Sequence, residues 1–545
     1  MAKGVKNAED MTVKSADSFS STCSGIFSGV ISFFVFLLVT VFPLIYHDSY
    51  FDILETKYKC YYLCIIGMLL VCLLLALVMT FVDMKEYKGV HVKTLFSKLA
   101  PGKWKTTFSV ADAAVLVFWL AALISTFQSE YFYEAFWGNE GRYTGLFLIT
   151  LYVLSYFVIS RCWKVKGWLL ELFLVSGMIM CIIGITDYFQ MDILNFREKI
   201  KPEQSALFTS TVGNINTYTA YVALIMGFAS ALFATTKCKW KMLWYYICLV
   251  ISFLAIITGC SDNAYLALGA LFAFLPFILF KTWGGILRYL IIVASFFSVA
   301  QLVDGINHTY EEIVIGLDSL FQIIAGFSGL PIIVAGLWFL VIGLYIMLTT
   351  RDKMEDQVGK WPVRSWAVLL ICCTAAVCFM LFDANIMGNG QRYGGLGTYL
   401  IFNDSWGTNR GYIWRASLEM YQDFEGMHKI FGYGPDTFGI LTTNKIHSDM
   451  VNTTKQVFDN AHNEYLHLLL TVGPIGMISY VVFIAGATVK FCRNFAKHPC
   501  VIGCCAAVLC YSAQAVVNLN LPIATPIMWL MLSVGMAAVK QGKTE

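Results

Sequence analysis

Two side chains stand out as able to do chemistry together, Arg410 and His462. Ile413, Ala416/Ser417, Met420/Tyr421 and Phe424 recur at helical spacing, which predicts a helix over Gly411–Phe424, with Thr408 or Asn409 as its cap. Arg410 falls in the first turn. Free backbone N–H groups and the helix dipole already make that end a weak anion site, and a guanidinium adds a bidentate phosphate ligand. His462 lies in Asp459-Asn460-Ala461-His462-Asn463-Glu464, at the mouth of an apolar run. A neutral imidazole there takes a proton from a hydroxyl. The pair suits transfer of a group from a phosphate-bearing donor to an alcohol acceptor. The plainer account is an interfacial arginine on lipid headgroups and a histidine that caps a helix. Spacing alone favours that plainer account.

The elements that must position this pair are set by composition. The chain has 545 residues, 58% hydrophobic and 13% charged, with a mean hydropathy of +0.67. A soluble domain carries about 25% charge, so lipid must be the solvent for much of this chain. A net charge of +3 gives no reason to expect nucleic acid. Almost all of the 17 cysteines lie in apolar runs or beside basic loops, none between Asp383 and Glu464, which reads as apolar packing rather than a disulfide framework.

Apolar runs of near-spanning length lie at roughly 23–46, 59–82, 109–127, 144–160, 168–187, 216–234, 242–259, 263–280, 289–303, 329–349, 366–383, 465–489, 499–518 and 521–539. The fold class expected is an all-α polytopic membrane protein of about fourteen transmembrane helices, twelve to fourteen counting the short runs. With the N-terminus inside, the inner segments hold 26 of the 38 Lys and Arg residues, as the positive-inside rule requires. The organisation follows: a cytosolic tail over 1–22, helices 1–11 over 23–383, a large extracytoplasmic loop over 384–464 with an amphipathic helix on the membrane face, helices 12–14 over 465–539, and a cytosolic tail over 540–545. A loop of that length is usually functional.

His462-Asn463, nine residues, Gly473, two residues and Gly476 together resemble the signature of the O-antigen ligase and polymerase superfamily, the WaaL/Wzy-like proteins. So does TNRGYIWRASLEMY followed by FGYGPDTFG, where Arg410, Trp414, Gly432 and Gly434 match. Weaker likenesses are WGNEGRYTGLF with Arg142, TVGNINTYTAY with Asn214 and Asn216, and TDYFQ with Gln190. The likeness covers roughly 130–530 and is specific at 405–476.

The resemblance implies a GT-C-like, inverting, metal-independent glycan transferase of a bacterial plasma membrane, with both termini cytosolic and the active site extracytoplasmic. Its partners would be a polyprenyl-diphosphate-linked glycan donor, a glycan, lipid or protein acceptor, and membrane lipid, with no cofactor and no metal. His462 would be the base and Arg410 the grip on the diphosphate. Asn460, Asn463, Tyr465 and Trp414 would contact sugar or support the site. One departure stands out. Where the family often has a Ser-Arg-Gly-like outer turn, this chain has Thr258-Gly259-Cys260-Ser261-Asp262-Asn263. Either Arg392, Arg142 or Arg415 replaces the missing cation, or the donor is held differently, with Asp262 pairing an arginine or orienting His462.

Ligase-like transfer is favoured because the His-Asn-x9-Gly signature is complete, with a Wzy-type polymerase as the alternative. The rival from another class is a lipid-linked glycan transporter or flippase. Transporters carry ionisable groups near the midplane, whereas Asp112, Glu171 and Asp187 fall within about two turns of a helix end.

Overall fold

The computed structural model describes residues 2–542 apart from 99, 199 and 318, and their side chains from residue 18 onward except 101, 105, 319 and 497. Residue 1 and residues 543–545, the extreme ends of the two expected tails, lie outside the described residues. In lipid every backbone N–H and C=O must find a partner within the chain, and a helix meets that requirement within one segment. Each of the fourteen apolar runs is accordingly helical. In chain order these are α1 (Ala2–Leu44), α2 (Ile53–Glu86), α3 (Val110–Gln128), α4 (Leu146–Cys162), α5 (Gly167–Tyr188), α6 (Ile215–Thr235), α7 (Lys239–Thr258), α8 (Asn263–Leu279), α9 (Trp283–Thr309), α10 (Leu330–Thr350) and α11 (Trp361–Asn385). The large loop then contributes α12 (Trp406–Gln422) and α13 (Phe438–Thr454), followed by α14 (Glu464–Thr471), α15 (Gly473–Asn494), α16 (Pro499–Gln514) and α17 (Thr525–Gln541).

Eleven helices among the described residues are long and apolar enough to cross a membrane. Two shorter apolar helices, α4 and α8, and the 17-residue α17 complete the fourteen runs. The protein is an all-α polytopic membrane protein. The polar stretch expected as a tail over 1–22 is helical from Ala2 and continuous with the first span.

The core is built around α6, whose spanning window is wholly buried. It packs on α7 and, most closely, on α16. Glycines permit that approach. A Cβ at Gly227 would meet the Ala506 and Ala507 backbone at 2.8 Å, and one at Gly503 would meet the Phe228 ring at 2.7 Å. Small residues at a crossing bring backbones together where no hydrophobic drive exists between helices. By contrast α10 and α11 sit at the edge, with 11% and none of their windows buried.

The connections sort onto two faces. On the basic face, Arg161 Nη2 meets Asp112 at 2.8 Å and Lys540 donates to the Ser160 carbonyl at 2.9 Å. The α8–α9 turn is joined there to the α10–α11 turn by a bridge between Thr282 and Gln357. The 384–464 loop meets the end of α3 and the connection of the opposite face that joins α3 to α4.

Asp112 ties three elements together. It closes a capping box with Ser109 at the start of α3, accepts from Tyr156 at 2.9 Å and pairs with Arg161, while itself 1% exposed. Removing one partner of such a pair strands the other. Asp112→Ala is expected to cost on the order of 3 kcal/mol, read as a lower melting temperature in detergent. An unchanged melting temperature would remove this pair from the account of stability.

Candidate active site

The expected fourteen-helix pattern treats 465–489 as one helix. The chain instead breaks between α14 and α15 at Gly473, whose φ is +75°. A Cβ there would lie 2.2 Å from the Ile430 carbonyl oxygen. The break frees the carbonyls at the end of α14, and the loop takes them. Tyr433 N–H donates to Leu470 O at 3.0 Å and Gly434 N–H to Thr471 O at 2.9 Å, while Ser125 of α3 donates to Thr471 O at 2.7 Å. Gly432 is held equally close, its φ +72° and its Cβ position 2.5 Å from Thr471 C. The signature glycines at 432 and 473 therefore face one another across this junction.

The loop has its own core. Tyr412, Ile413, Ala416 and Met420 of α12 pack with Phe438, Leu441 and Met450 of α13, and with Phe458, Ala461 and Leu470. The apolar side of α12 is thereby covered by α13 and α14. Neither Thr408 nor Asn409 caps α12. Both adopt positive φ, Thr408 bonds only its neighbour's carbonyl, and Asn409 Nδ2 reaches the Thr454 carbonyl. Regular helix begins at Arg410, directly after this left-handed run.

Arg410 is 9% exposed, and its guanidinium makes no hydrogen bond or ion pair among the described residues. Burial pushes its pKa down, opposed by the charge of Asp262. Asp262 is thus the nearest opposite charge to act on Arg410, yet its Oδ1 is buried with no hydrogen-bond partner. The turn bearing it rests on a polar network. Ser261 Oγ donates toward the Asn216 and Asn263 amide oxygens, and Asn263 Nδ2 donates to Gln514. Asn214 caps α6 by accepting from Asn216 N–H at 2.9 Å.

His462 sits at φ +48°. Its N–H donates to Asn460 Oδ1 at 2.9 Å, and the carbonyl of the preceding Ala461 accepts from Trp414 Nε1 at 3.0 Å. Asn463 caps α14 by accepting from Tyr465 and Leu466 N–H groups, and the Tyr465 hydroxyl donates to the Ser512 carbonyl. Asn460, Trp414, Asn463 and Tyr465 therefore hold the chain on either side of the imidazole. The ring itself has no hydrogen-bond partner, and Nδ1 is buried. Burial and then the charges of Arg410 and Arg142 lower the His462 pKa to about 4, against the pull of Asp459.

Arg142 joins this group from the turn before α4. It grips Asp459 through Nε at 2.9 Å and Nη2 at 2.5 Å. Its turn is docked by Asp436, whose carboxylate accepts from the N–H groups of Asn139 at 2.7 Å and Thr144 at 3.0 Å. Burial raises the Asp436 pKa to about 6 despite those amides. Arg392 and Arg415 are engaged elsewhere. Arg392 lies 3.8 Å from Asp383 and is 71% exposed. Arg415 pairs with Asp404 and Glu419 on the outer side of α12. Gln190 makes no side-chain bond to any of these residues. Of the named arginines, Arg410 and Arg142 are those whose charges act on His462.

Asp459 was not singled out from the sequence as a site residue. It lies 317 positions from Arg142, and no spacing rule links them. Among the described residues no three His, Cys, Asp or Glu side chains converge as a metal site.

Residues 314–481 match the O-antigen ligase family model, Wzy_C. The match places this region with the O-antigen ligase and polymerase superfamily. It takes in Arg392, Arg410, Arg415 and His462 and ends within α15. No curated protein matches the chain. Arg142 and Asp262 lie outside the matched O-antigen ligase region, and the fold brings them to it.

With its pKa near 4 in the folded chain against 6.5 ordinarily, His462 binds fewer protons folded than unfolded between those values. Its contribution to stability is present above about pH 6.5 and is lost as pH falls toward 4. Carbon-13 labelling of histidine should show an imidazole resonance titrating near pH 4 that is lost in His462→Asn. Arg142→Gln should move it upward, since a cation is lost and Asp459 is left unpaired. Titration near 6.5 in the wild type would contradict the burial of this ring.

Proposed function

We propose that this protein moves a glycan from a polyprenyl-diphosphate carrier to an acceptor hydroxyl, as an O-antigen ligase-like transferase. The carrying observation is a largely buried arginine, Arg410, with no partner among the described residues, whose charge acts on an imidazole held neutral through the physiological range. A buried charge without a partner is costly unless something else neutralises it. An anion that arrives with the substrate does so, and a diphosphate is one that Arg410 can bind through two N–H groups.

In this reading the acceptor oxygen attacks the anomeric carbon of the donor glycan. Its proton passes to a ring nitrogen of His462. The bond from the anomeric carbon to the diphosphate oxygen breaks, and the polyprenyl diphosphate leaves with the electron pair, inverting the anomeric centre. Charge builds on the leaving diphosphate, where fixed cations act most strongly in a dry site. Arg410 supplies one. Arg142, shared with Asp459, stands second. Asp262 sets the position of Arg410 through its charge rather than touching the phosphates, which it would repel.

The transporter reading draws less support. Asp112 is locked with Ser109, Tyr156 and Arg161, Asp187 accepts from Ser210 N–H, and Glu171 accepts from Tyr245 and Trp244. These carboxylates cap and brace helix ends. The Lys and Arg bias supports cytosolic termini and a site on the outer face, and the likeness to O-antigen ligases supports a bacterial plasma membrane.

The test is transfer by the purified protein from a synthetic polyprenyl-diphosphate oligosaccharide to candidate acceptors. His462→Ala is expected to lower the rate by about 10²–10⁴-fold, and Arg410→Ala by about 10²–10³-fold. An acceptor that is itself polyprenyl-linked would assign polymerase action, and any other acceptor ligase action. Full activity in His462→Ala would end the base assignment. Diphosphate binding should also raise the acid limb of kcat above that of kcat/KM, because the bound anion favours the imidazolium.

A further inference from the structure

On the basic face, remote from His462, a cavity of about 970 Å³ opens between α7, α9 and α10 and the start of α16. Its volume is at the upper end of ligand pockets, roughly 300–1,000 Å³. The wall is mostly apolar and includes Leu243, Ile291 and Trp338. Leu243 is 51% exposed on the outer side of α7, so the cavity meets the lipid sideways.

The rim carries charge of one sign. Lys237, Lys239, Lys281 and Arg288 line it against the single carboxylate of Glu355, four cations to one anion. Lys237 takes up Glu355 at 3.1 Å. Arg288 Nη1 is anchored on the Phe233 and Thr236 carbonyls at the end of α6. Lys281 stands over the Phe495 ring at 4.8 Å, with no carboxylate. Lys239 has no partner among the described residues, and it opens α7, whose first turn has no side-chain cap. A helix start, two unpaired ammonium groups and an anchored guanidinium thus surround a mouth whose walls suit hydrocarbon.

We infer that this cavity is a binding site for an anionic phospholipid of the inner leaflet, its phosphate among Lys239, Lys281 and Arg288 and its acyl chains along α7, α9 and α10. Apolar walls exclude a free inorganic anion as the better fit, and the charge excess selects against a zwitterionic headgroup. Basic pockets between spanning helices are a recurrent form of headgroup recognition. The inference does not depend on the transferase reading, since no residue is shared between the two sites.

The test uses the full-length protein in non-ionic detergent, titrated with dioleoyl phosphatidylglycerol or dioleoyl phosphatidylcholine, with bound lipid counted by native mass spectrometry. Wild type should retain phosphatidylglycerol preferentially. Lys239→Gln with Lys281→Gln should weaken that retention by about 10- to 30-fold and leave phosphatidylcholine unchanged. Both lysines are exposed, so the double variant should melt as the wild type does. A phosphatidylglycerol with a photoreactive acyl chain should label the α9–α10 segment around Trp338. Equal retention of the two lipids, undiminished retention in the double variant, or labelling only elsewhere would overturn the inference.

Discussion

Leu470 and Thr471 lose their helical partners where the chain turns at Gly473, and the outer half of the molecule is fastened to those two carbonyls. Unpaired backbone at membrane depth is tolerated only where other protein groups satisfy it. Here the loop does so with main-chain N–H groups at Tyr433 and Gly434, and α3 adds the Ser125 hydroxyl. The same strand is held from its other side, since Ser129 and Gln128 donate to the Tyr433 and Gly432 carbonyls. A spanning helix, the loop and the break in the chain thus form one hydrogen-bonded junction. The position of His462, a few residues before α14, is inherited from it.

That junction explains why a site assembled from distant segments is rigid. Arg410 comes from the start of α12, His462 from the start of α14, Arg142 from the turn before α4, and Asp262 from the turn before α8. None of these elements is long enough to fix a side chain alone. Asp436 docks the Arg142 turn through two N–H groups, and the Ser261–Asn263–Gln514 network does the same for the Asp262 turn. The protein spends hydrogen bonds on the surrounding backbone and leaves Arg410 and the imidazole without partners. The low pKa of His462 is a product of that economy, because burial and then the charges of Arg410 and Arg142 outweigh the pull of Asp459.

Much of this was legible in the sequence because lipid simplifies the problem. Apolar length alone located the helical runs, eleven of them long and apolar enough to span a membrane among the described residues, although the run over 465–489 breaks at Gly473. Arg410, His462 and their neighbours were legible through local motif spacing. What was not legible depends on packing across long separations. The Arg142–Asp459 pair has no local signature. The polar stretch that forms α13 looked like loop, since its burial is against α12 rather than against lipid. The cap expected at Thr408 or Asn409 failed because those residues take left-handed conformations that turn their side chains away from the helix start. Arg392, Arg415 and Arg142 were equal candidates, each has an acidic neighbour, and what separates them is that the charge of Arg142 acts on His462.

His462 is held in place by its main chain. A left-handed conformation at a residue other than glycine is uncommon and costs of order 1–3 kcal/mol at a functional position. The Asn460 side chain and the Trp414 indole meet that cost from either side. In many histidine bases a carboxylate or carbonyl occupies the second ring nitrogen and so fixes the tautomer. Here orientation comes from the backbone, and the ring has no hydrogen-bond partner among the described residues. The imidazole is aimed without being assigned a tautomer, and in the proposed transfer that choice would fall to the acceptor hydroxyl that first bonds to it.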